Sequence, residues 1–473
     1  MKTSSNAVRC EPVLTRWLLA TIIVLVTLTL PVEVGRAAES RSRTDSGPLA
    51  GALGNGIRIT AIHATGRNPI KEFWVIAGTR PQVGGEQAKE VVNWQPHTLR
   101  AGHEGELIWP LDKAYDEMAL RVEADGYAPQ VMAWLEKKKA PQNIVFELRE
   151  NQGTAGRVLT PDGKPAAGAT LALAMVQRDA VVENGKLRHA NEPLPERPSD
   201  CWRRPRFVQA DAEGRFQLPP ESDPTAAVLI THENGVRELA LADFKKAPEV
   251  KLQPWGSVEG KIHWGDVVGS NRAVSLNIYR DNYGYPGVIG QNEKTISAGD
   301  GTFAFERVLP GGAQISCSIP ATPGNESEVS GFNPAPLITH VTVQTGANSV
   351  LLGGQGRTVR GRLTGRATWT DVTFHFHPTA PHVGLPGDEK MWKAWGTLQK
   401  SPVGSLFFRN DLNVNVDGTF EIQRVLPGNY QIFFHFAGEK GNIASGKFVV
   451  SPEMPGVKPE PQNIGEFRSR SGS

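Results

Sequence analysis

Asp300-Gly301-Thr302-Phe303, followed by Arg307-Val308-Leu309-Pro310-Gly311, returns as Asp417-Gly418-Thr419-Phe420 and Arg424-Val425-Leu426-Pro427-Gly428. Eleven positions match at a fixed offset of 117, including Gln314/Gln431 and Ile315/Ile432. An Asp-Gly pair ahead of alternating apolar residues is a hairpin turn that launches a strand. Within it Phe420 and Ile422 point one way and Thr419 and Glu421 the other, the period of a half-buried antiparallel strand. Leu-Pro-Gly breaks the strand, and Tyr430, Ile432 and Phe434 then resume the alternation.

The repeat extends upstream, where Val258-Glu259-Gly260 answers to Val359-Arg360-Gly361, and each copy is roughly 100 residues long. A weaker copy runs from Gly156-Arg157-Val158 through Asp162-Gly163-Lys164-Pro165 and Gly168-Ala169 to Asp211-Ala212-Glu213-Gly214-Arg215-Phe216. A more divergent one begins at Ile57-Arg58-Ile59, holds Thr65-Gly66 and Gly105-Glu106-Leu107, and ends at Gly126-Tyr127. With 50 Gly and 35 Pro in 473 residues, long uninterrupted helices are excluded. The one helix-like stretch is residues 131–139.

These motifs resemble the carboxypeptidase regulatory-like domain family: an opening Gly-x-Val, then Gly-x-Pro-x-x-Gly-Ala, Asp-x-x-Gly-x-Phe, and a Leu-Pro-Gly-x-Tyr turn. Residues 156–218 carry the first three, and residues 300–315 and 417–432 the later ones, with Asp-x-x-Gly shortened to Asp-Gly and lost in the first copy. The resemblance implies an all-β chain of tandem transthyretin-like (prealbumin-like) β-sandwich domains, related to the B-type repeats of bacterial adhesins. The expected organisation is a signal peptide or anchor at 1–37, a divergent sandwich at 50–150, and sandwiches at 151–253, 254–354 and 355–452. A disordered tail is expected at 453–473.

Lys2, Arg9 and Arg16 precede an apolar run from Trp17 to Leu30, and small residues surround Ala37. That order is a secretory signal, cleaved after Ala37. The rival reading is an uncleaved anchor, although the run falls short of the ~20 residues that span a bilayer comfortably. In both readings the bulk of the chain is extracytoplasmic: secreted, periplasmic or at the cell surface. Removing residues 1–37 takes four basic and two acidic residues from totals of 51 and 49, leaving 47 of each. A neutral mature chain gives no electrostatic case for nucleic acid. Two cysteines remain, Cys201 and Cys317, too few for a disulfide scaffold.

Chemistry-bearing patterns are sparse. His103-Glu104-Gly105-Glu106 has the spacing of two zinc ligands, but it falls where the repeat places a hairpin, and no peptidase-sized α/β region remains. His375 and His377 share a strand face, with His435 on a strand able to neighbour it; these are weak metal candidates, and the competing reading makes them the polar face of strands whose Phe residues fill the core. No Gly-x-Ser-x-Gly elbow, P-loop or calcium loop occurs. No cofactor is expected.

Aromatics in variable stretches are the better lead. Trp94, Trp202, Trp392 and Trp395 lie in such stretches, as do Tyr279, Tyr283 and Tyr285. A flat ring beside polar groups stacks on a sugar or anchors a protein partner, whereas the alternative is that Trp fills the sandwich ends. The expected ligand-binding residues are Trp392, Trp395, Tyr279, Tyr283 and Tyr285. The function expected first is a non-catalytic binding, adhesion or structural protein meeting a cell-envelope polysaccharide or surface protein. A carbohydrate-binding accessory protein is second. A metal-dependent hydrolase at His375 and His377, and the outer sensor part of a membrane-anchored signalling protein, are further alternatives. Membrane contact is expected only through an uncleaved N-terminal segment.

Overall fold

The computed structural model describes residues 56–80, 91–110, 116–136, 143–189, 202, 206–279, 288–318, 336–379, 389, 396, 400, 403–407, 409–436, 441–454 and 456–469. The signal call at 1–37 lies outside them.

The repeated residues explain one another. In the fourth unit the Asp417 carboxylate accepts from the Thr419 N–H and hydroxyl, and Gly418 takes the positive φ that this turn demands (85°). The turn launches β29 (Thr419–Val425), which pairs antiparallel with β26 (Arg357–Thr364) so that Phe420 faces Gly361. The Phe420 ring lies flat across that glycine, and a Cβ there would come within 3.0 Å of it. The third unit repeats this with Phe303 on β22 (Thr302–Val308) over Gly260 on β18 (Gly256–Trp264). The second does so with Phe216 on β14 (Arg215–Leu218) over Gly156 on β9 (Thr154–Leu159). The conserved spacing of the motif is therefore a cross-strand glycine–phenyl pair.

Each unit shares one topology. Its first strand pairs antiparallel with the strand after the turn and parallel with the unit's last strand. In the first unit β1 (Gly56–His63) pairs so with β5 (Glu106–Pro110) and β8 (Asn143–Leu148). In the second, third and fourth units the parallel partners are β17 (Glu249–Lys251), β25 (Gly346–Gly354) and β32 (Gln462–Arg468). Facing these is a four-stranded antiparallel layer, which in the first unit is joined to the other layer through one residue pair, His103 opposite Glu106, as a single eight-stranded sheet. In the first unit its strands are β2 (Glu72–Thr79), β4 (Arg100–His103), β6 (Glu117–Glu123) and β7 (Gln130–Glu136), with the two-residue β3 (Asn93–Trp94) beside β2. In the second they are β10 (Thr170–Ala174), β13 (Arg206–Gln209), β15 (Ala227–His232) and β16 (Gly235–Ala240), with α1 (Leu241–Lys246) before β17. In the third they are β20 (Ala273–Tyr279), β21 (Ile289–Ile296), β23 (Gly311–Ser318) and β24 (Pro336–Val343), with β19 (Val267–Val268) following β18. In the fourth they are β27 (Val372–Pro378), β28 (Arg409–Asn413), β30 (Gly428–Phe436) and β31 (Ala444–Val450). The chain is all-β, in stacked sandwiches.

Two expectations need correction. Residues 131–139 are not helical: residues 130–136 form β7, an edge strand bulged against β6, with Trp134 at positive φ. The apolar run Val131–Leu135 imitates a helix because the bulge breaks the two-residue period. Nor do residues 462–468 belong to a disordered tail: they are β32, the closing strand of the fourth unit.

Successive units are joined as interiors. Strand β6 is buried on both faces: Met118, Leu120 and Val122 enter the first core, while Ala119 packs into the second. On that second face Arg121 bonds Glu123 at 2.5 Å and Glu221 at 2.7 and 2.9 Å. Arg178 and Arg206 reach Glu123 from the second unit at 2.8 and 3.2 Å, and Trp94 Nε1 donates to Asp223. Burial pushes the Glu123 carboxyl up, but Arg178, Arg121 and Arg206 outweigh it and hold it far below the usual carboxylate range. Between the second and third units a hairpin, β11 (Ala180–Glu183) and β12 (Lys186–His189), leaves the second unit and joins the third unit's sheet through β21. One apolar cluster continues through the third and fourth units, from Trp264 and Leu276 to Leu406, Phe434 and Phe467.

Gly361→Ala is expected to cost about 1–3 kcal/mol by overpacking, and Phe420→Ala about 3–5 kcal/mol. In the double variant the alanine methyl meets no ring, so the combined loss in urea denaturation falls short of the sum; additive losses would contradict the pairing. Glu123→Gln leaves buried guanidinium groups uncompensated and is expected to cost about 3–5 kcal/mol, read from urea unfolding followed by tryptophan fluorescence. The folded pKa of Glu123 is depressed, so its contribution is full above the unfolded value near 4.5. It is lost as pH falls through and below that value.

Candidate functional site

The outward faces of the four-stranded layers hold the sequence-predicted residues that the structure describes. In β20 the alternation sends Val274, Leu276 and Ile278 into the core and turns Ser275, Asn277 and Tyr279 outward. Asn277 stands opposite Asn292 on β21 and Gln314 on β23, and Gln314 stands opposite His340 on β24. The row Asn292-Asn277-Gln314-His340 is thus a ladder of amides and an imidazole across the sheet. Tyr279, 62% exposed, ends the neighbouring row opposite Gly290. Its ring lies beside that glycine, and its hydroxyl donates to Asn292 Oδ1 at 2.9 Å. The result is an exposed ring fixed at its tip, next to side-chain amides able to donate and accept. Tyr283, Tyr285, Trp392 and Trp395 lie outside the described residues.

The fourth unit's outward face differs. Phe374 and Phe376 fill the core, leaving His375 and His377 outward on β27, and Phe433 and His435 outward on β30. His375 and His377 stack on the Phe433 ring at 5.1 and 5.5 Å between centroids, with interplanar angles of 19° and 26°. His435 lies 5.3 Å from His375. Burial, then His435 and His377, push the His375 imidazole below its ordinary range, against an opposing pull from Asp411. The His377 Nδ1 lies 3.2 Å from the Pro378 carbonyl oxygen, a contact that requires its proton on Nδ1. The sequence reading of these imidazoles as a shared strand face is what the register gives. Phe433 separates His375 from His377, however, and among the described residues no group of three or more His, Cys, Asp or Glu side chains is disposed to hold a metal ion.

The remaining candidates fall elsewhere. His103-Glu104-Gly105-Glu106 is the β4–β5 turn, with Glu104 and Gly105 both at positive φ. Trp94 and Trp202 are buried at the first junction, where Trp202 lies 4.1 Å beneath the Arg178 guanidinium. They are core residues, not exposed platforms. Cys317 is buried on β23, and Cys201 lies outside the described residues. A groove of about 750 Å³ runs over the other layer of the third unit, lined by Glu259, Lys261, His263, Thr302, Ser349 and Leu351. Sequence reasoning missed the amide ladder because Asn277, Asn292 and Gln314 meet only through strand register.

No protein-family model matches the chain, and no curated protein matches it. Among solved structures it is similar to the Bacillus anthracis TIE protein, at 10% identity and TM-score 0.17, covering 88% of this chain and 74% of that one. It is also similar to a streptococcal ancillary pilin (10%, TM-score 0.18, covering 63% and 98%). A third is GBS52, the minor pilin of Streptococcus agalactiae (10%, TM-score 0.20, covering 42% and 94%). At these identities and TM-scores the likeness does not extend to function. Among the described residues no helix is long and apolar enough to cross a membrane.

Proposed function

We propose that the protein is a non-catalytic extracytoplasmic binding protein, an array of sandwich modules that presents a polysaccharide-binding face on its third unit. The modules of this reading are residues 50–150, 151–253, 254–354 and 355 onward. The observation that carries it is Tyr279, exposed and held by Asn292, beside the ladder Asn292-Asn277-Gln314-His340. A pyranose ring has apolar C–H faces that stack on a phenol ring, and hydroxyls that pair with amides at its rim. The ladder, running across successive strands, matches an extended chain of such rings. The interior-like junctions support the same reading, because a face carried on continuous cores and a shared sheet keeps a fixed setting. Trp392, Trp395, Tyr283 and Tyr285 remain proposed contacts. A cell-surface protein as partner is the second reading, favoured by the same exposed tyrosine, since aromatic anchors also dominate protein interfaces.

Sedimentation of the purified protein with insoluble polysaccharides and isolated cell envelope tests this. The protein is expected to co-sediment, and Tyr279→Ala to weaken binding about tenfold. Trp392→Ala and Trp395→Ala, measured in parallel, report whether those rings share the load. Absence of polysaccharide binding by the intact protein would overturn the carbohydrate reading and turn the search to envelope proteins.

A further inference from the structure

We propose that the polysaccharide taken by the Tyr279 face is an extended, β-1,4-linked chain, laid across the strands of the third unit on a row of four sugar-ring positions. The inference rests on the carbohydrate reading of that face. It adds the linkage of the polymer and the length of chain that the face holds.

The row is built by register. Asn292 on β21, Asn277 on β20, Gln314 on β23 and His340 on β24 stand opposite one another on four adjacent strands. Adjacent strands lie about 4.8 Å apart, so the row spans about 14 Å from Asn292 to His340. Among the described residues the side-chain amides of Asn277 and Gln314 have no hydrogen-bond partner. Asn292 engages only its Oδ1, which accepts from the Tyr279 hydroxyl. The row therefore offers uncharged donors and acceptors in sequence, suited to neutral sugar hydroxyls. Tyr279 stands at one end of it, two residues along β20 from Asn277, with its ring beside Gly290 and its tip at Asn292. Beyond the other end comes the fourth unit, whose β30 approaches β24. On these four strands Tyr279 is the one aromatic side chain. One sugar ring is thus stacked at the Asn292 end, and the rings that follow are held through their hydroxyls.

The spacing selects the linkage. In a β-1,4 chain of pyranoses with equatorial links, the two linking bonds leave opposite ends of each ring almost in line. Such a chain advances by nearly a full ring per residue, close to the ~4.8 Å strand spacing, so each residue meets one side chain of the row. In an α-1,4 chain one linking bond is axial. That chain coils, and successive residues turn away from a straight row. Sheet twist rotates successive strands by about 20–25°, a rotation that the two torsions of each glycosidic link absorb.

The test is calorimetric titration of the intact purified protein with two series of glucose oligosaccharides, disaccharide to hexasaccharide, that differ only in linkage. These are the β-1,4 cello-oligosaccharides and the α-1,4 malto-oligosaccharides. A chito-oligosaccharide series, also β-1,4-linked, covers an N-acetylated sugar. In at least one β-1,4 series the affinity is expected to rise up to the tetrasaccharide and level off beyond it. That tetrasaccharide is expected to bind at least about tenfold more tightly than the α-1,4 one. Gln314→Ala is expected to cost the tetrasaccharide about fivefold more affinity than the disaccharide, a split that a general loss of structure would not give. Equal affinity of the α-1,4 and β-1,4 tetrasaccharides overturns the inference. So does an affinity that does not rise beyond the disaccharide, or an equal loss at both lengths in the folded variant. Failure of both β-1,4 series, while the protein still sediments with polysaccharide, overturns the inference and leaves the carbohydrate reading standing. Loss of sedimentation as well overturns both.

Discussion

A phenyl ring laid across a glycine on the neighbouring strand is the contact on which the sandwiches of this protein depend. In the second, third and fourth units the phenylalanine launched by the Asp turn covers the glycine of the opening strand: Phe216 over Gly156, Phe303 over Gly260 and Phe420 over Gly361. Glycine weakens an isolated strand, and an aromatic ring across it restores the lost contact. The pair also pins register, because a slip of one residue would carry the ring to the other face and strike a Cβ. In the first unit the pair has moved to the other layer, with Phe73 over Gly102. That relocation accompanies the loss of the Asp turn there, where Glu104-Gly105 does the turning.

The junctions carry the second constraint. Small sandwiches bury modest cores, and this chain enlarges them by sharing. Strand β6 serves two cores, and the β11–β12 hairpin belongs by sequence to one unit and by hydrogen bonding to the next. At the first junction the shared face holds Arg121, Arg178 and Arg206 against Glu123, Glu221 and Asp223, an equal number of opposite charges. Such a network adds less net stability than an apolar contact of the same size, but it tolerates few alternative arrangements. It fixes how the units meet, and with that the setting of the outward faces.

The sequence made the strand architecture readable wherever local patterning decides structure. The Asp-Gly turn, the two-residue alternation of Phe420 and Ile422, and the break at Leu-Pro-Gly all act within a few residues. What escaped depends on distant partners. Arg121 meets Glu221 across 100 positions and Trp94 meets Asp223 across 129, so neither tryptophan burial nor the ion network has a local signature. Residues 462–468 look like a polar tail because β32 is an edge whose main contribution is backbone pairing with β26, with Phe467 its buried anchor. The imidazole face was legible as a two-residue period; the intervening Phe433, on which His375 and His377 stack, was not.

The central claim is that these units interlock through shared strands between three apolar cores and so carry fixed outward faces. Hydrogen–deuterium exchange of the intact protein tests it most directly. The account predicts that amides of β6 and of the β11–β12 hairpin exchange as slowly as those of β20 and β30, because opening them exposes shared cores. Fast exchange in β6 and β11, with protection confined to each unit's own centre, would contradict it and make the units independent beads on a chain.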